Sequence, residues 1–253
     1  MQYTAIISSD WNECLAPCGP FDPIAFTYPD LTPNLNIIFR RYTRSEISLT
    51  QAVADIRNML PKPLSVEQMD NYLEKSFYTY LGVPEFIEWA RTKGILFMIN
   101  TTGMQGYFQR VLSKKLLPDV PLIAANPLIK YPDYSNDPRY AYSVMEIHDK
   151  PVNTMAAISA FGLRSDRVVI IGDSGGDGPH FEWGASVGAL LIGSMTKASL
   201  TSYCEGKQVQ ISERFGVCYL PGQARIVEEE IKYNFMELTS VIDDFLGSRI
   251  RRG

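Results

Sequence analysis

The stretch Arg167-Val168-Val169-Ile170-Ile171-Gly172-Asp173 is an apolar run that ends on an aspartate. Near the beginning of the chain, Thr4-Ala5-Ile6-Ile7-Ser8-Ser9-Asp10 has the same form. Short apolar runs of this kind are typical of buried parallel strands. The carboxyl ends of such strands meet at the crevice where open α/β sheets bind ligands. We therefore expect Asp10 and Asp173 to lie close together.

Two carboxylates in one crevice repel each other unless a cation lies between them. Asp177 follows Asp173 by four positions across a glycine-rich turn and is a third candidate ligand. A site rich in oxygen atoms and without histidine suits Mg²⁺, which prefers carboxylates, water and substrate phosphate as ligands. The sequence therefore predicts a magnesium site.

Further apolar runs alternate with helical patterns along the chain. The predicted strands are 4–10, 95–99, 122–125, 168–171 and 187–192, and the predicted helices between them are 84–91, 107–116 and 153–161. Alternation of this kind indicates a parallel sheet covered by helices on both faces. The expected fold class is α/β, with a doubly wound, Rossmann-like core.

An all-helical stretch interrupts this alternation after the first strand. Residues 11–34 contain five prolines and predict a loop, whereas residues 35–77 have helical periodicity. Pro61-Lys62-Pro63 separates two helices, and Ser65 begins the second one with a capping-box pattern.

These patterns predict two domains. Residues 1–13 and 81–253 form the core, and residues 14–80 form a helical cap that is inserted in it.

Other polar residues lie at strand ends or helix starts. Thr101, Thr102 and Gly103 follow the strand at 95–99, and Lys150 precedes a helix. The threonine hydroxyl and the backbone N–H groups suit a phosphate, and the lysine would neutralise its charge. Asp10 would then be a nucleophile, because carboxylate attack on phosphorus gives an aspartyl phosphate. Each residue alone is also an ordinary cap, turn or surface residue, so the prediction depends on their order along the chain.

This ordered set resembles the haloacid dehalogenase (HAD) superfamily of Mg²⁺-dependent phosphotransferases and phosphatases. The first motif is Asp10-Trp11-Asn12-Glu13-Cys14, the second Thr101, the third Lys150 and the fourth Gly172-Asp173-Ser174-Gly175-Gly176-Asp177. The stretch Gly82-Val83-Pro84-Glu85-Phe86-Ile87-Glu88-Trp89 and the helical insertion look most like the phosphoserine phosphatase branch with its small cap. The resemblance covers residues 3–195.

The resemblance implies a role for each matching residue. Asp10 would be the nucleophile, and Thr101 and Lys150 would bind the transferred phosphoryl group, with Thr102 and Gly103 beside them. Asp10, the backbone carbonyl of residue 12 and Asp173 would ligate Mg²⁺, and Asp177 would support them. The implied activity is hydrolysis of a small phosphorylated metabolite through an aspartyl phosphate.

The chain departs from the family pattern at Asn12, where the phosphatases have a second aspartate that acts as acid and base. An amide keeps the backbone ligand but cannot transfer protons, which removes help worth roughly 10²–10⁴-fold. The expectation is therefore a slow phosphatase or one selective for good leaving groups. Glu13 or His180 are possible substitutes, although adjacent strand residues point to opposite faces, which disfavours Glu13. A solvated or helix-start histidine is the simpler interpretation of His180.

The alternative is a non-catalytic relative that binds a phosphorylated ligand or a partner. A zinc site at Cys14-x-x-x-Cys18 is disfavoured because Cys204 and Cys218 are isolated. The plausible polar contacts to substrate are Tyr28, Arg40, Arg41 and Arg44, but solvated helix faces are the favoured interpretation of the three arginines.

Composition excludes several other classes of function. The net charge of −4 and pI near 5.3 argue against nucleic-acid binding, and no apolar run approaches a membrane span. The first residues lack a signal-peptide pattern and four cysteines make no disulfide framework, so a cytoplasmic protein with free thiols is expected. The basic cluster Arg249-Ile250-Arg251-Arg252 predicts a solvated tail.

The segment 228–245 predicts amphipathic helices that pack on the sheet, with a dimer contact as the alternative. Its apolar stripe is Ile231, Phe235, Leu238, Ile242 and Phe245. The sequence leaves the oligomeric state and the substrate open.

Overall fold

The computed structural model describes residues 2–43, 46–132 and 139–250. They form a seven-stranded parallel sheet in the order β4-β3-β2-β1-β5-β6-β7. The strands are β1 (Ala5–Ser9), β2 (Ile95–Met104), β3 (Leu122–Asn126), β4 (Arg139–Ser143), β5 (Val168–Gly172), β6 (Leu190–Ser194) and β7 (Glu213–Phe215). The predicted doubly wound α/β fold is confirmed. Arg44, Arg251 and Arg252 lie outside the described residues.

Helices surround the sheet and fill the insertion after β1. They are α1 (Asp22–Thr27), α2 (Thr32–Thr43), α3 (Leu49–Met59), α4 (Val66–Ser76), α5 (Val83–Thr92), α6 (Gln105–Ser113), α7 (Asp149–Phe161), α8 (Gly178–Ser186), α9 (Ala198–Gly206), α10 (Val227–Glu230) and α11 (Leu238–Ile250). Within the described residues, none of them has the length and apolar character that a membrane span requires.

The two faces of the sheet are buried in two apolar clusters. Along β1, Ile7 packs into one cluster and Ile6 into the other, because successive strand residues point to opposite faces. Phe97 and Met98 of β2 divide in the same way. Burial on both sides explains why these strands read as continuous apolar runs rather than alternating ones.

Several predicted boundaries are wrong. Residues 11–34 are not a loop, because α1 lies there and Pro23 stands in its first turn, where a proline costs no hydrogen bond. The strand predicted at 187–192 begins at Leu190, since Gly188 turns the chain with a φ of 72° after α8. The edge strands β4 and β7 are absent from the prediction.

The helical insertion, which holds α1–α4, has the helices predicted from its periodicity. The capping box at Ser65 is present, with Ser65 Oγ accepting from the backbone N–H of Gln68 and the Gln68 side chain accepting in return. Met69 and Leu73 are buried on the inner face of α4. The division into a cap at 14–80 and a core on either side stays a prediction.

Several polar contacts tie the insertion to the rest of the molecule, and three of them involve helices α3 and α4 or the residue before α4. Arg110 of α6 makes a two-pronged ion pair with Asp70 of α4, at 2.7 and 2.9 Å. The Tyr131 hydroxyl donates to the Ser65 carbonyl at 3.0 Å. Glu146, which precedes α7, accepts from the first backbone N–H groups of α3, and this contact satisfies donors that a helix leaves free at its N-terminus.

The segment after β7 packs on the core, as predicted, but not as one stripe. Phe235, Leu238 and Ile242 are buried, and the Phe235 ring stacks on Tyr80. Ile231 is 44% exposed because α10 ends at Glu230, so its place in the stripe is wrong.

The Glu146 contact predicts a measurable stability effect. In Glu146→Ala, the N–H groups of Leu49 and Thr50 lose a charged acceptor at a helix N-terminus. We expect the free energy of unfolding to fall by about 1–2 kcal/mol. Urea unfolding followed by circular dichroism measures this value. The matched control is Glu205→Ala at an exposed position of α9, for which we expect a change within about 0.5 kcal/mol. Equal effects of the two substitutions would contradict the assignment.

Candidate active site

Three carboxylates converge at the carboxyl ends of β1 and β5. Asp10 follows β1, Asp173 follows β5, and these strands are neighbours in the sheet. One oxygen each from Asp10, Asp173 and Asp177 lie within 4.8 Å of one another, and all three residues are buried. Burial and mutual repulsion disfavour the charged forms, so this arrangement needs positive charge nearby.

Lys150 supplies part of that charge. Its Nζ lies 2.6 Å from Asp177 Oδ1 and 3.3 Å from Asp10 Oδ2, and its side chain is 1% exposed. Burial lowers the pKa of Lys150, but the two carboxylates outweigh burial and raise it overall. Helix α7 begins at Asp149, earlier than predicted, which places Lys150 in its first turn.

Asp177 is the most fully bonded of the three carboxylates. Its Oδ2 accepts from the backbone N–H groups of Asp173 and Ser174 at 3.0 and 3.2 Å. Burial raises its pKa, but Lys150 and these hydrogen bonds together hold it below the usual value. A Cβ on Gly172 would lie 2.6 Å from Asp177 Cγ, so the turn requires a glycine there.

Asp173 has the most unfavourable environment for a charge. Burial is the largest cause that raises its pKa, to about 8, and Lys197 opposes this shift only in part. Its Oδ2 lies 2.6 Å from Lys197 Nζ, whereas no hydrogen bond to Oδ1 is found in the part of the chain that the structure describes. Burial likewise raises the pKa of Asp10, against the effect of Lys150.

Thr101 and Asn12 face each other at the rim of the cluster. The Thr101 hydroxyl donates to Asn12 Oδ1 at 3.2 Å and accepts from the Gly103 N–H at 3.1 Å. The Asn12 amide donates to the Cys18 carbonyl at 3.2 Å. A Cβ on Gly103 would lie 2.5 Å from Asn12 Oδ1, so glycine allows this contact. Thr102 is the next residue of β2 and is partly buried.

The predicted site residues are therefore brought together, although their roles stay predictions. The space beside Asn12 that Pro20, Gly103 and Tyr107 help to line is about 10 Å³, which is room for one water molecule. A larger cavity of about 280 Å³ lies between helices of the insertion and is lined by Cys18 and Tyr72 among others.

Glu13 also lies in this site, although the alternation of side chains along a strand does not predict its position. It follows the end of β1 and has a left-handed backbone with a φ of 60°, so the opposite-face argument against it is wrong. Its carboxylate pairs with Lys197 and, at 2.5 Å, with Arg225. Arg225 in turn pairs with the buried Glu230.

Sequence reasoning missed Lys197, Arg225 and Tyr42. Lys197 follows β6 by three positions, so the strand-end rule that found Asp10 would also have found it. Arg225 has no local signal. Tyr42 of α2 is close enough to the cluster that Lys150 and Asp10 both influence its pKa, which burial raises.

Of the plausible substrate contacts in the insertion, Tyr28, Arg40 and Arg41 contact other residues of the insertion. Arg40 donates to the Asn36 carbonyl on an exposed face of α2, and Arg41 is paired with Glu46 at 4.0 Å. The Tyr28 hydroxyl donates to the Lys62 carbonyl. The solvated interpretation of the two arginines is thus confirmed.

His180 lies in the first turn of α8, as the helix-start interpretation predicts, but it is not solvated. It is buried in α8, and its Nε2 lies 2.9 Å from the Thr154 hydroxyl. Burial, aided by the Lys150 charge, lowers its pKa to about 3. A histidine with this pKa is neutral near pH 7, so it has no imidazolium proton to give to a leaving group and is a weak base, and its suggested compensating role is not supported.

The donor set fits a hard divalent cation. The buried Asp173 Oδ1 lacks a hydrogen-bond partner, and no hydrogen bond to the Asn12 carbonyl is found among the described residues. Both are oxygen donors next to Asp10, and oxygen donors are the ligands that Mg²⁺ prefers.

No family model matches the sequence, and no curated protein matches it either. Solved structures do match. A substrate-bound phosphoserine phosphatase superposes with a TM-score of 0.65 at 15% identity, covering 95% of this chain and 99% of that one. A HAD family hydrolase from Salmonella enterica serovar Typhi has a TM-score of 0.65 at 14% identity, covering 96% and 72%.

A cytosolic 5′-nucleotidase IIIB bound to cytidine has a TM-score of 0.56 at 12% identity and covers 97% of this chain and 88% of that one. Similarity at these identities establishes the fold alone. The chain has the same fold as these phosphoserine phosphatase and HAD hydrolase structures, as the resemblance implied.

The buried His180 predicts a pH dependence of stability. Its pKa is about 3 when folded and near 6.5 when unfolded, so below pH 6.5 only the unfolded chain takes up this proton. The contribution of the neutral His180 to the free energy of unfolding is complete above pH 6.5. It is lost as the pH falls, by about 2 kcal/mol at pH 5. We expect wild type to lose that much more unfolding free energy than His180→Gln between pH 7.5 and 5.

Urea unfolding of both proteins at pH 7.5 and pH 5 measures this difference. Equal losses of unfolding free energy in wild type and His180→Gln would contradict the prediction. In His148→Gln, His180 is the single remaining histidine, so NMR of its ring follows protonation directly in the folded state.

Proposed function

We propose that the chain is a Mg²⁺-dependent phosphatase that hydrolyses a small phosphorylated metabolite through an aspartyl phosphate. The single observation that carries the proposal is Asp10 at the end of β1, beside the buried Lys150 and within 4.8 Å of two further carboxylates. Substrate would bind between the core and a helical cap at residues 14–80. The HAD phosphatase fold supports this interpretation.

Asp10 would act as the nucleophile. The Trp11 N–H donates to Asp10 Oδ1 at 2.7 Å and orients the carboxylate, so Oδ2, beside Lys150, is the oxygen placed to attack phosphorus. The new oxygen–phosphorus bond forms as the ester bond breaks, and the leaving oxygen keeps the electron pair. Water then attacks phosphorus, which releases phosphate and restores the carboxylate.

Lys150 and Thr101 would hold the transferred group. The Lys150 ammonium would balance the negative charge of the phosphoryl oxygens, and the Thr101 hydroxyl and the N–H groups of Thr102 and Gly103 would donate to them. Fixed charges and donors of this kind lower the barrier because they need no reorganisation during the reaction.

A bound Mg²⁺ would supply further positive charge at the phosphoryl oxygens. Asp10, the Asn12 carbonyl and Asp173 would hold it. Asp177 would support the site by orienting the backbone of Asp173 and by holding Lys150 in place.

Asn12 sets the limit on the rate. Its amide is bonded to Thr101 and Cys18 and has no proton that it can give up and recover. An alcohol leaving group needs that proton, whereas the carboxylate of an acyl phosphate or the phenolate of an aryl phosphate leaves as a stable anion. We therefore propose slow turnover or selectivity for good leaving groups.

The second candidate function is binding without catalysis. The observation in its favour is the same Asn12 amide, which is bonded to Cys18 and has no proton to transfer. In that case Lys150, Thr101 and Asp10 would serve as a site for a phosphorylated ligand or a partner.

Aryl phosphate hydrolysis with Mg²⁺ separates the two candidates. We expect slow turnover by wild type, a loss of at least about 100-fold in Asp10→Asn, and a gain of about 10–100-fold in Asn12→Asp, which restores the acid and base. Treatment with EDTA should abolish turnover until Mg²⁺ is added back.

Asp30→Asn and Asn58→Asp, at exposed positions of the insertion, are the matched controls and should behave as wild type. Wild-type turnover that survives Asp10→Asn would contradict the enzyme. An inert wild type together with an active Asn12→Asp would establish the binding function instead.

A further inference from the structure

Lys197 is held against the carboxylate cluster at both ends of the residue. Its backbone N–H donates to the Asp173 carbonyl at 2.7 Å, and its Nζ lies 2.6 Å from Asp173 Oδ2. The ammonium also pairs with Glu13. A lysine fixed in this way is part of the cluster rather than a mobile surface group, and its side chain is 25% exposed.

The two lysines divide the cluster between them. Lys150 contacts Asp10 and Asp177, whereas Lys197 contacts Asp173. Every carboxylate of the cluster therefore has an ammonium partner. This arrangement removes much of the repulsion that would otherwise draw in a divalent cation.

Asp173 is also the carboxylate with a free oxygen for a metal, because Oδ1 has no hydrogen-bond partner among the described residues. A cation on Oδ1 would share one carboxylate with the Lys197 ammonium on Oδ2. Two positive charges at that separation in a buried site repel each other strongly. Lys197 and a metal ion therefore compete for Asp173.

Glu13 provides the alternative partner for Lys197. Its carboxylate contacts the Lys197 ammonium and is held in place by Arg225. A metal that arrives at Asp173 can displace the ammonium toward Glu13, where the charge of Lys197 stays paired. Glu13 therefore lowers the free energy that a metal must supply to displace the Lys197 ammonium from Asp173.

We propose that Lys197 is a resident cation of the cluster, which competes with a divalent metal ion for Asp173 and keeps metal binding weak. Glu13 sets the balance by accepting the ammonium when a metal binds. The inference rests on the metal site of the proposed function, but it concerns the affinity for the metal and not the reaction.

Titration with Mn²⁺ tests the proposal without any activity measurement. Electron paramagnetic resonance measures the concentration of the free ion at each step of the titration. We expect Lys197→Met to bind Mn²⁺ at least about tenfold more tightly than wild type, because a like charge is removed. Lys197→Arg keeps the charge and should show no such gain. The gain should disappear in Lys197→Met/Asp173→Asn.

Glu13→Gln tests the proposal in the opposite direction, with Lys197 intact. It removes the alternative partner, so Mn²⁺ affinity should fall severalfold. This variant also keeps the test decisive if Lys197→Met does not fold, which circular dichroism shows. Lys207→Met is the control, because Lys207 forms an exposed pair with Glu182. Its affinity should equal that of wild type.

The proposal is overturned if Lys197→Met binds Mn²⁺ no more tightly than wild type, or if no variant binds it at millimolar concentration. If Lys197→Met gains affinity but no variant hydrolyses a phosphate ester, the proposed function fails and this inference stands.

Discussion

The buried ion pairs of Lys150 hold the site together. A charged lysine with 1% of its side chain exposed is tolerable only because Asp10 and Asp177 lie beside it. Polar contacts also hold α7, the helix of Lys150, in place. Asn100 donates to the Lys150 carbonyl at 2.8 Å, and the Thr154 hydroxyl is hydrogen-bonded to the Ser8 hydroxyl. The core around the site is therefore polar, and its hydrogen bonds position the charge.

Much of the fold and half of the site follow from the sequence, for identifiable reasons. The runs before Asp10 and Asp173 are apolar because both faces of the sheet are covered, so their ends were recognisable. The capping box at Ser65 is encoded within four residues and could be read directly. Thr101 lies within β2 rather than after it, because the strand continues to Met104, yet its hydroxyl reaches Asn12, which follows the neighbouring parallel strand β1.

What sequence reasoning missed depends on long-range or backbone-level information. The three residues of β7 and the register-shifted β4 are strands only because a neighbour offers hydrogen bonds. The position of Glu13 comes from its left-handed backbone conformation. Glutamate rarely adopts this conformation, and no local sequence pattern predicts it. Its partner Arg225 is 212 positions away and has meaning only once the C-terminal segment is packed.

That separation has a consequence for the order in which the protein is made. The loop with Asp10 and Glu13 is synthesised before Lys197 and Arg225, which follow Glu13 by 184 and 212 positions. The first strand is also central in the sheet, between partners that are translated later. A nascent chain therefore carries the Glu13 carboxylate without these partners until residues 197 and 225 have been translated. A chain released before residue 197 would contain Asp10 and Glu13 without Lys197 and Arg225, so its candidate site would be incomplete.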